Sequence, residues 1–523
     1  MIGNGYFVRS NGRMIFVAIV FLATIAFAED SLKISKIYIY TKNAFDDAVV
    51  HTPVEKRLYE IGNWLHINTK ESVIRTRLPF REGDFISKEE MREAEKNLRA
   101  LPYISDAIIE AKKDSFGNAD IYVETSDNWT FSPSFSLGKP GEEWLYAMGL
   151  LESNLLGFGH TVGFSIEHAE DRDQSYLLFN TEDFLFPNHR FNFLWSENSD
   201  GFSRSVGLSY PFISRAKNQW SYNAELLWSK RDENFYESKN PEPIAKFEGV
   251  KEDSLSLWLL RSFGGASFKT YLGVGYDYHR LNFNDSRIGF SIAASRVRLD
   301  KKYNLHKVKW AEDVEYGYYI KTVVAKNFKE LNAANDDWFF EQKINLSLGT
   351  RMHYFSTRGQ NSFYYNDNNN ALRDMHGLLF NEYIFKPSLK HSSVLSTQID
   401  SWQKTSYSRQ LYLDGNSIFP GFPLHYLAGE NTFAFKAEQR YFPGFEIGTF
   451  IPSYAVFLTA GQATDRLRAF EPHDLIYMAG IGLRVSKSKF VQGVVNHVNL
   501  SWPLNGELKS FVPRFSFVGK LEL

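Results

Sequence analysis

A chain of 523 residues with 16% aromatics, 28 tyrosines, no cysteine and a net charge of −2 excludes several classes at once. Balanced charge gives no electrostatic reason to bind nucleic acid, and the lack of cysteine removes disulfides, thiolate metal sites and cysteine nucleophiles. Beyond the N-terminus no window approaches the roughly 20 apolar residues of a transmembrane helix, but a barrel strand needs apolar residues only at alternate positions.

In chain order, Arg9 and Arg13 precede the apolar run Met14–Ala26, and Ala26-Phe27-Ala28 offers small residues at both cleavage positions. This is the pattern of a secretory signal peptide over residues 1–28, with a mature chain expected from Glu29. Residues 29–127 read as a small α+β module of order β-α-α-β-β. Leu32–Tyr40 alternates as a strand. Asn68-Thr69-Lys70-Glu71 offers a polar start to a helix carrying Val73, Ile74 and Leu78. Ser87 and Glu90 form a capping box ahead of Met91, Ala94 and Leu98. Ala107–Lys113 and Asp120–Thr125 follow as two strands around Gly117. The segment Thr41–Ile67, which carries Trp64, is longer than a minimal connection and reads as an insertion.

From Asn128 to Leu523, segments of period two recur. Val206, Leu208 and Tyr210 oppose Ser205, Gly207 and Ser209; Leu272, Val274 and Tyr276 oppose Gly273, Gly275 and Asp277. Large aromatics stay on one face over nearly the whole region, which suits lipid rather than water and points to an all-β antiparallel transmembrane barrel. Asp232–Glu252 and Ser356–Met375 read as long polar loops. No HExxH, no phosphate-binding glycine loop with Lys-Ser/Thr and no GxSxG is present, so enzyme chemistry is not expected.

Several words then carry a resemblance. Leu411–Tyr441 holds a turn at Asp414-Gly415-Asn416, then Pro420-Gly421-Phe422, Gly429, and a strand with Lys436, Glu438 and Arg440. Phe80-Arg81-Glu82-Gly83-Asp84 lies between the two expected helices, and Leu98-Arg99-Ala100-Leu101-Pro102-Tyr103 closes the second. Asn154-Leu155-Leu156-Gly157-Phe158-Gly159 and Gly480-Ile481-Gly482-Leu483-Arg484 lie in the barrel region. Together these resemble the BamA/TamA-type outer-membrane assembly superfamily, in which POTRA modules precede a bacterial surface antigen barrel.

The resemblance implies a single POTRA-like module marked by Gly83, Asp84, Leu98, Arg99 and Pro102. It implies a barrel of 16 strands, the spacing also allowing 18, and a lid loop at about 411–431 that turns inward through Pro420, Gly421, Phe422 and Gly429. Lys436, Glu438 and Arg440 become lumen charges. The family's lid arginine pairs with an aspartate in the wall; here Pro420 and Thr459 occupy those two positions. Losing one partner of a lumen ion pair strands the other, whereas losing both can be nearly neutral, so the two changes read as one coordinated change. Pro513 suits a loosely closed seam between first and last strands.

The expected location is the bacterial outer membrane with the module in the periplasm. The expected work is assembly, insertion or translocation of polypeptides, captured by the module and passed to the seam. The other reading is a channel or surface receptor of the same architecture without insertase activity. Expected partners are the outer-membrane lipid bilayer, unfolded outer-membrane or secreted polypeptides, and periplasmic chaperones or lipoproteins. No cofactor is implied.

Overall fold

The computed structural model describes residues 31–45, 53–115, 117–138, 144–169, 172–240, 242–281, 283–308, 310–406, 409–414, 418–447, 450–465, 470–487, 495–506, 508 and 512–518. The expected signal peptide and the Gly415-Asn416 turn lie outside them.

The N-terminal module runs β1 (Leu32–Lys42), α1 (Pro53–Leu65), α2 (Glu71–Arg77), β2 (Phe85–Ile86), α3 (Lys88–Arg99), β3 (Ile104–Lys113) and β4 (Ala119–Asp127). Its sheet has the order β2-β1-β4-β3, with β1 parallel to β4. Strand alternation and the apolar stripes of α2 and α3 meet in one core, where Ile74, Leu98, Ile104 and Ile121 are fully buried. Ser87 and Glu90 close the capping box on α3 in both directions. Three features depart from the expectation: the short strand β2 between α2 and α3 adds a fourth strand to the sheet, and two others lie around the insertion. The insertion 41–67 contains a helix, α1, and the start of α2 has no side-chain cap. Thr69 instead gives both its amide and its hydroxyl to Asp127 at the end of β4.

The wall begins with β5 (Phe131–Gly138), β6 (Leu145–Glu152), β7 (His160–His168), β8 (Asp173–Thr181), β9 (Arg190–Asn198) and β10 (Gly201–Tyr210). Longer strands follow: β11 (Trp220–Tyr236), β12 (Pro243–Gly264), β13 (Phe268–Arg280), β14 (Asn284–Tyr303) and β15 (Ala311–Asn327). Next come β16 (Trp338–Gly349), β17 (His353–Asn366), β18 (Ala371–Phe385) and β19 (His391–Gln403). The lid carries its own small hairpin, β20 (Leu411–Leu413) and β21 (Leu427–Gly429). The wall resumes with β22 (Asn431–Tyr441), β23 (Phe450–Thr464), β24 (Ile476–Lys487), β25 (Val495–Pro503) and β26 (Arg514–Val518).

These strands form one closed antiparallel barrel of 20, with β26 beside β5. The expected 16, or 18, is therefore corrected. The five strands after the lid fall near their expected places, and fifteen precede it. The undercount arises where the period fails. Asp232–Glu252 and Ser356–Met375, expected as loops, are mostly strand, because β11 and β12 run on to a turn at 237–242 and β17 and β18 to one at 367–370. Past the lipid both faces of a strand are wet, so nothing forces alternation there.

The outer face is apolar and bare: Phe290 is 70% exposed, Val456 60% and Met148 56%. Such a band fits hydrocarbon rather than water. A ring of this size is too wide for side chains alone to fill, and backbone segments enter the lumen from both ends. The lid enters from the end far from the module, and the turn 304–308 from the module end.

Candidate functional site

The lid tip is built on aromatic burial and two backbone anchors. Phe419 and Phe422 are fully buried and stacked at 5.0 Å between ring centres, packed with Leu413, Tyr426, Leu427, Ile476 and Met478. Ser501 on β25 donates its hydroxyl to the Pro420 carbonyl at 2.5 Å, and Arg514 on β26 donates to the Gly421 carbonyl at 3.2 Å. Gly421 sits at φ +92°, where a side chain would be strained and its Cβ would lie 2.8 Å from the Arg514 Cβ. At Gly429 a Cβ would strike the Thr464 backbone at 2.7 Å, so glycine lets β21 lie directly on β23. The lid also touches the β11–β12 hairpin. Lys239 donates its amide to Tyr426, and His425 stacks on Tyr236 at 4.2 Å. Beneath this junction lies a cavity of about 750 Å³ lined by residues including Arg172, Arg231, Trp402, Arg409 and Tyr412.

Lys436, Glu438 and Arg440 share the inward face of β22. Glu438 is 4% exposed and holds Lys436 at 2.8 Å, Arg440 at 2.5 Å and Arg484 of β24 at 3.3 Å. Arg484 is absent from the expected set, although its place in the Gly480–Arg484 word signals it. A Cβ at Gly482 would lie 2.2 Å from the Arg484 guanidinium, so the glycine makes room for that group. Arg484 also donates to Asn499 at 2.6 Å. Three cations around one carboxylate in a low-dielectric wall make Glu438 the keystone of the cluster. Thr459 is buried opposite Lys436 on β23, whereas Pro420 meets Ser501 of β25. The described contacts do not join these two positions.

The seam is where β5 meets β26. Ser153 donates its amide to Thr130 in register with the β5–β6 ladder, so alternate residues of β5 turn their nitrogens the other way, toward β26. Those residues are Phe131, Pro133, Phe135 and Leu137, and Pro133 has no hydrogen to give. The same reasoning applies to β25, whose ladder with β24 is continued by the Leu504 amide bonding to Tyr477. It turns the backbone nitrogens of Phe515, Phe517 and the adjoining Pro513 toward β5. Prolines thus stand on both sides of the one join that closes the ring, and the lid tip is moored beside it.

At the other end the module is docked onto the barrel turns. Arg77 bonds Asp183 at 2.5 Å and Asn188 at 2.8 Å. Glu93 accepts the Arg215 amide at 2.8 Å, and burial pushes its carboxyl up despite that bond. Arg99, 7% exposed, makes a two-pronged bond to Asp313 at 2.9 and 2.5 Å. Of the expected module residues, Leu98 fills the core, Arg99 faces the barrel and Asp84 pairs with Lys217 at 3.2 Å. Gly83 takes φ +90° in its turn, and the Pro102 carbonyl accepts from Asn128. Asp313→Ala removes the two bonds that tie Arg99 to the barrel, leaving it its partners within the module, the Ala107 carbonyl and Glu95, and is expected to weaken docking by about 1.5–3 kcal/mol. Faster amide exchange across α3 and β3 would register this, and unchanged exchange would count against it.

The turn 304–308 reaches across the module end of the lumen. Leu305 packs on Val314, Ile384 and Val394, and Arg440 donates to the Leu305 carbonyl at 3.0 Å. His306 lies between Glu312 at 3.1 Å and Glu382 at 2.7 Å. Burial pulls its pKa down, but the two carboxylates overcome this and lift it from 6.5 to about 9. A raised pKa means that the turn gains stability below pH 6.5 and loses it as the pH rises through about 9. The amides of Leu305, His306 and Lys307, all bonded to Glu312, should lose exchange protection over that window. His306→Gln should abolish the step; a step that persists would assign it elsewhere.

No family model and no curated protein matches the chain. Solved structures do. BamA from Haemophilus ducreyi lacking POTRA domains 1–3 is 12% identical with a TM-score of 0.39, over 92% of this chain and 84% of that one. CdiB from Escherichia coli is 10% identical with a TM-score of 0.48, over 92% and 75%. CdiB from Acinetobacter baumannii is 11% identical with a TM-score of 0.44, over 93% and 73%. The chain is thus aligned with BamA and CdiB along more than nine-tenths of its length.

Proposed function

We propose that this protein is an outer-membrane assembly factor of the BamA/TamA type, which inserts polypeptides into the outer membrane or passes them across it. The POTRA-like module lies on the periplasmic side and offers unfolded clients the edge of its sheet at β3 beyond Ile109, because Arg99 and Glu95 already hold the Ala107 carbonyl and the Ile109 amide and only a free edge accepts an added strand. The observation that carries the reading is the seam: Pro133 and Pro513 remove donors at the join between the first and last strands of the wall. A join with missing donors is the cheapest place to part the ring, and a client strand entering there recovers backbone hydrogen bonds that lipid cannot supply. No nucleotide or cofactor is needed, because burial of the client's apolar face supplies the free energy. Handover from periplasmic chaperones or lipoproteins belongs to this reading.

A second reading is a channel or surface receptor, favoured by the mixed-charge cavity beneath the lid. Reconstitution in liposomes separates the two. Faster folding of urea-unfolded barrel proteins in the presence of the full chain supports assembly; no acceleration together with a steady conductance supports the channel.

A further inference from the structure

The insertion between β1 and α2 does not enter the account of seam or lid, yet it presents the most exposed tryptophan of the chain. Trp64 is 81% exposed, and Ile61 and Ile67 beside it are 48% and 51% exposed. Arg57, Ile61 and Trp64 are spaced to share one face of α1, and Lys56 and Arg57 are exposed. The link from this helix to α2 is fixed against the barrel. A Cβ at Gly157 would lie 3.3 Å from Ile67, the Lys70 amide bonds the Gly157 carbonyl at 3.0 Å, and the Lys70 ammonium sits 3.2 Å over the Phe158 ring. Behind it, Phe45 joins α1 to Trp129 at 5.5 Å, two residues before β5.

The turn that this link touches is bare as well. Leu156 is 58% exposed, and the adjacent turn between β8 and β9 carries Leu185 at 79% and Phe186 at 63%. These residues continue the outward apolar face of β6 and β7, where Met148, Leu150 and Ile166 are more than half exposed. Water would not leave so continuous a surface bare. A tryptophan at the end of an amphipathic helix, with cations beside it, fits the headgroup and acyl boundary of a bilayer, where its ring is amphipathic and anionic headgroups attract lysine and arginine.

We propose that α1 and the two neighbouring turns form a membrane-seated foot, in which Ile61, Trp64, Ile67, Leu156, Leu185 and Phe186 enter the phospholipid leaflet at the module end, beside seam strand β5. The partner is the lipid leaflet, not a polypeptide. The foot ties the module to the membrane on the side where the wall closes.

The native chain has no cysteine, so single cysteines can carry an environment-sensitive fluorophore. The full chain is reconstituted in phosphatidylcholine with a minor fraction of phosphatidylglycerol, with or without lipids spin-labelled near the headgroup. Met148→Cys on the lipid face establishes insertion, and Glu110→Cys, exposed on the module's edge strand, sets the background. Probes at Trp64→Cys and Ile61→Cys should be quenched severalfold more than the Glu110→Cys probe. Quenching equal to that background overturns the proposal. So does a Trp64→Cys probe that is indifferent to lipid quencher but shielded by added unfolded polypeptide. Trp64 is so exposed that its replacement removes little packing, so the variant should fold.

Discussion

Glu438→Gln should destabilise the barrel by about 3–5 kcal/mol, the cost of leaving buried cations without their counter-ion. The glutamine keeps the shape of the side chain and removes only the charge, while Lys436, Arg440 and Arg484 remain within the wall. The loss should appear as a lower urea midpoint for the folded barrel in detergent. Glu197→Ala is the comparison, because its pair with Arg204 is half exposed and worth at most about 1 kcal/mol. Equal losses in the two variants would mean that the cluster is an ordinary wall feature. The Arg440 bond to Leu305 adds a second consequence: the module-end turn should loosen together with the cluster.

Phe422→Ala should cost the lid about 3–5 kcal/mol of docking free energy, the usual range for a buried phenylalanine. Its ring has no exposed surface and meets Phe419 at 5.0 Å and Tyr426 at 5.4 Å. What remains at the tip is Phe419 with a thinned apolar cluster and the hydrogen bonds from Ser501 and Arg514, each worth roughly 0.5–3 kcal/mol. The lid should therefore undock while the wall stays folded. Planar-bilayer recording should show a larger and noisier conductance, whereas Leu389→Ala, at a 68% exposed position, should not. A Phe422→Ala trace matching the parent would show that something other than the aromatic cluster closes the lumen.

Much of this architecture could be read before the structure, and the reason is local. Alternation in Val206–Tyr210 or Leu272–Tyr276 is imposed by lipid on one side and lumen on the other. Ser87 and Glu90 are a self-contained signal, and the glycines of the lid word stand where backbone meets backbone. The strand ends were not legible because β12, of 22 residues, and β14, of 20, extend beyond the hydrocarbon, where charges occupy both faces; the count fails where Ser356–Met375, expected as one loop, holds most of β17 and the start of β18. The turn 304–308 reads as an ordinary polar link, since nothing local says that Leu305 will meet Ile384 and Val394. Arg484 stood in a legible word, but its pairing was not legible for the same reason: its partner Glu438 is two strands away. The helix α1 does carry a start signal in Thr52-Pro53-Val54-Glu55, but Ile61 and Trp64 stay exposed rather than facing the core, so the insertion does not read as a helix.

The central claim is that the β5–β26 seam parts during function. The direct test locks it with a disulfide between one cysteine placed within Phe131–Leu137 and one within Arg514–Val518, in the otherwise cysteine-free full chain. The locked protein is reconstituted in liposomes, and the folding rate of urea-unfolded barrel proteins is measured before and after reductant. The account predicts that the locked form gives no acceleration and that reduction restores it. Acceleration by the locked form equal to that of the reduced form would contradict an opening seam.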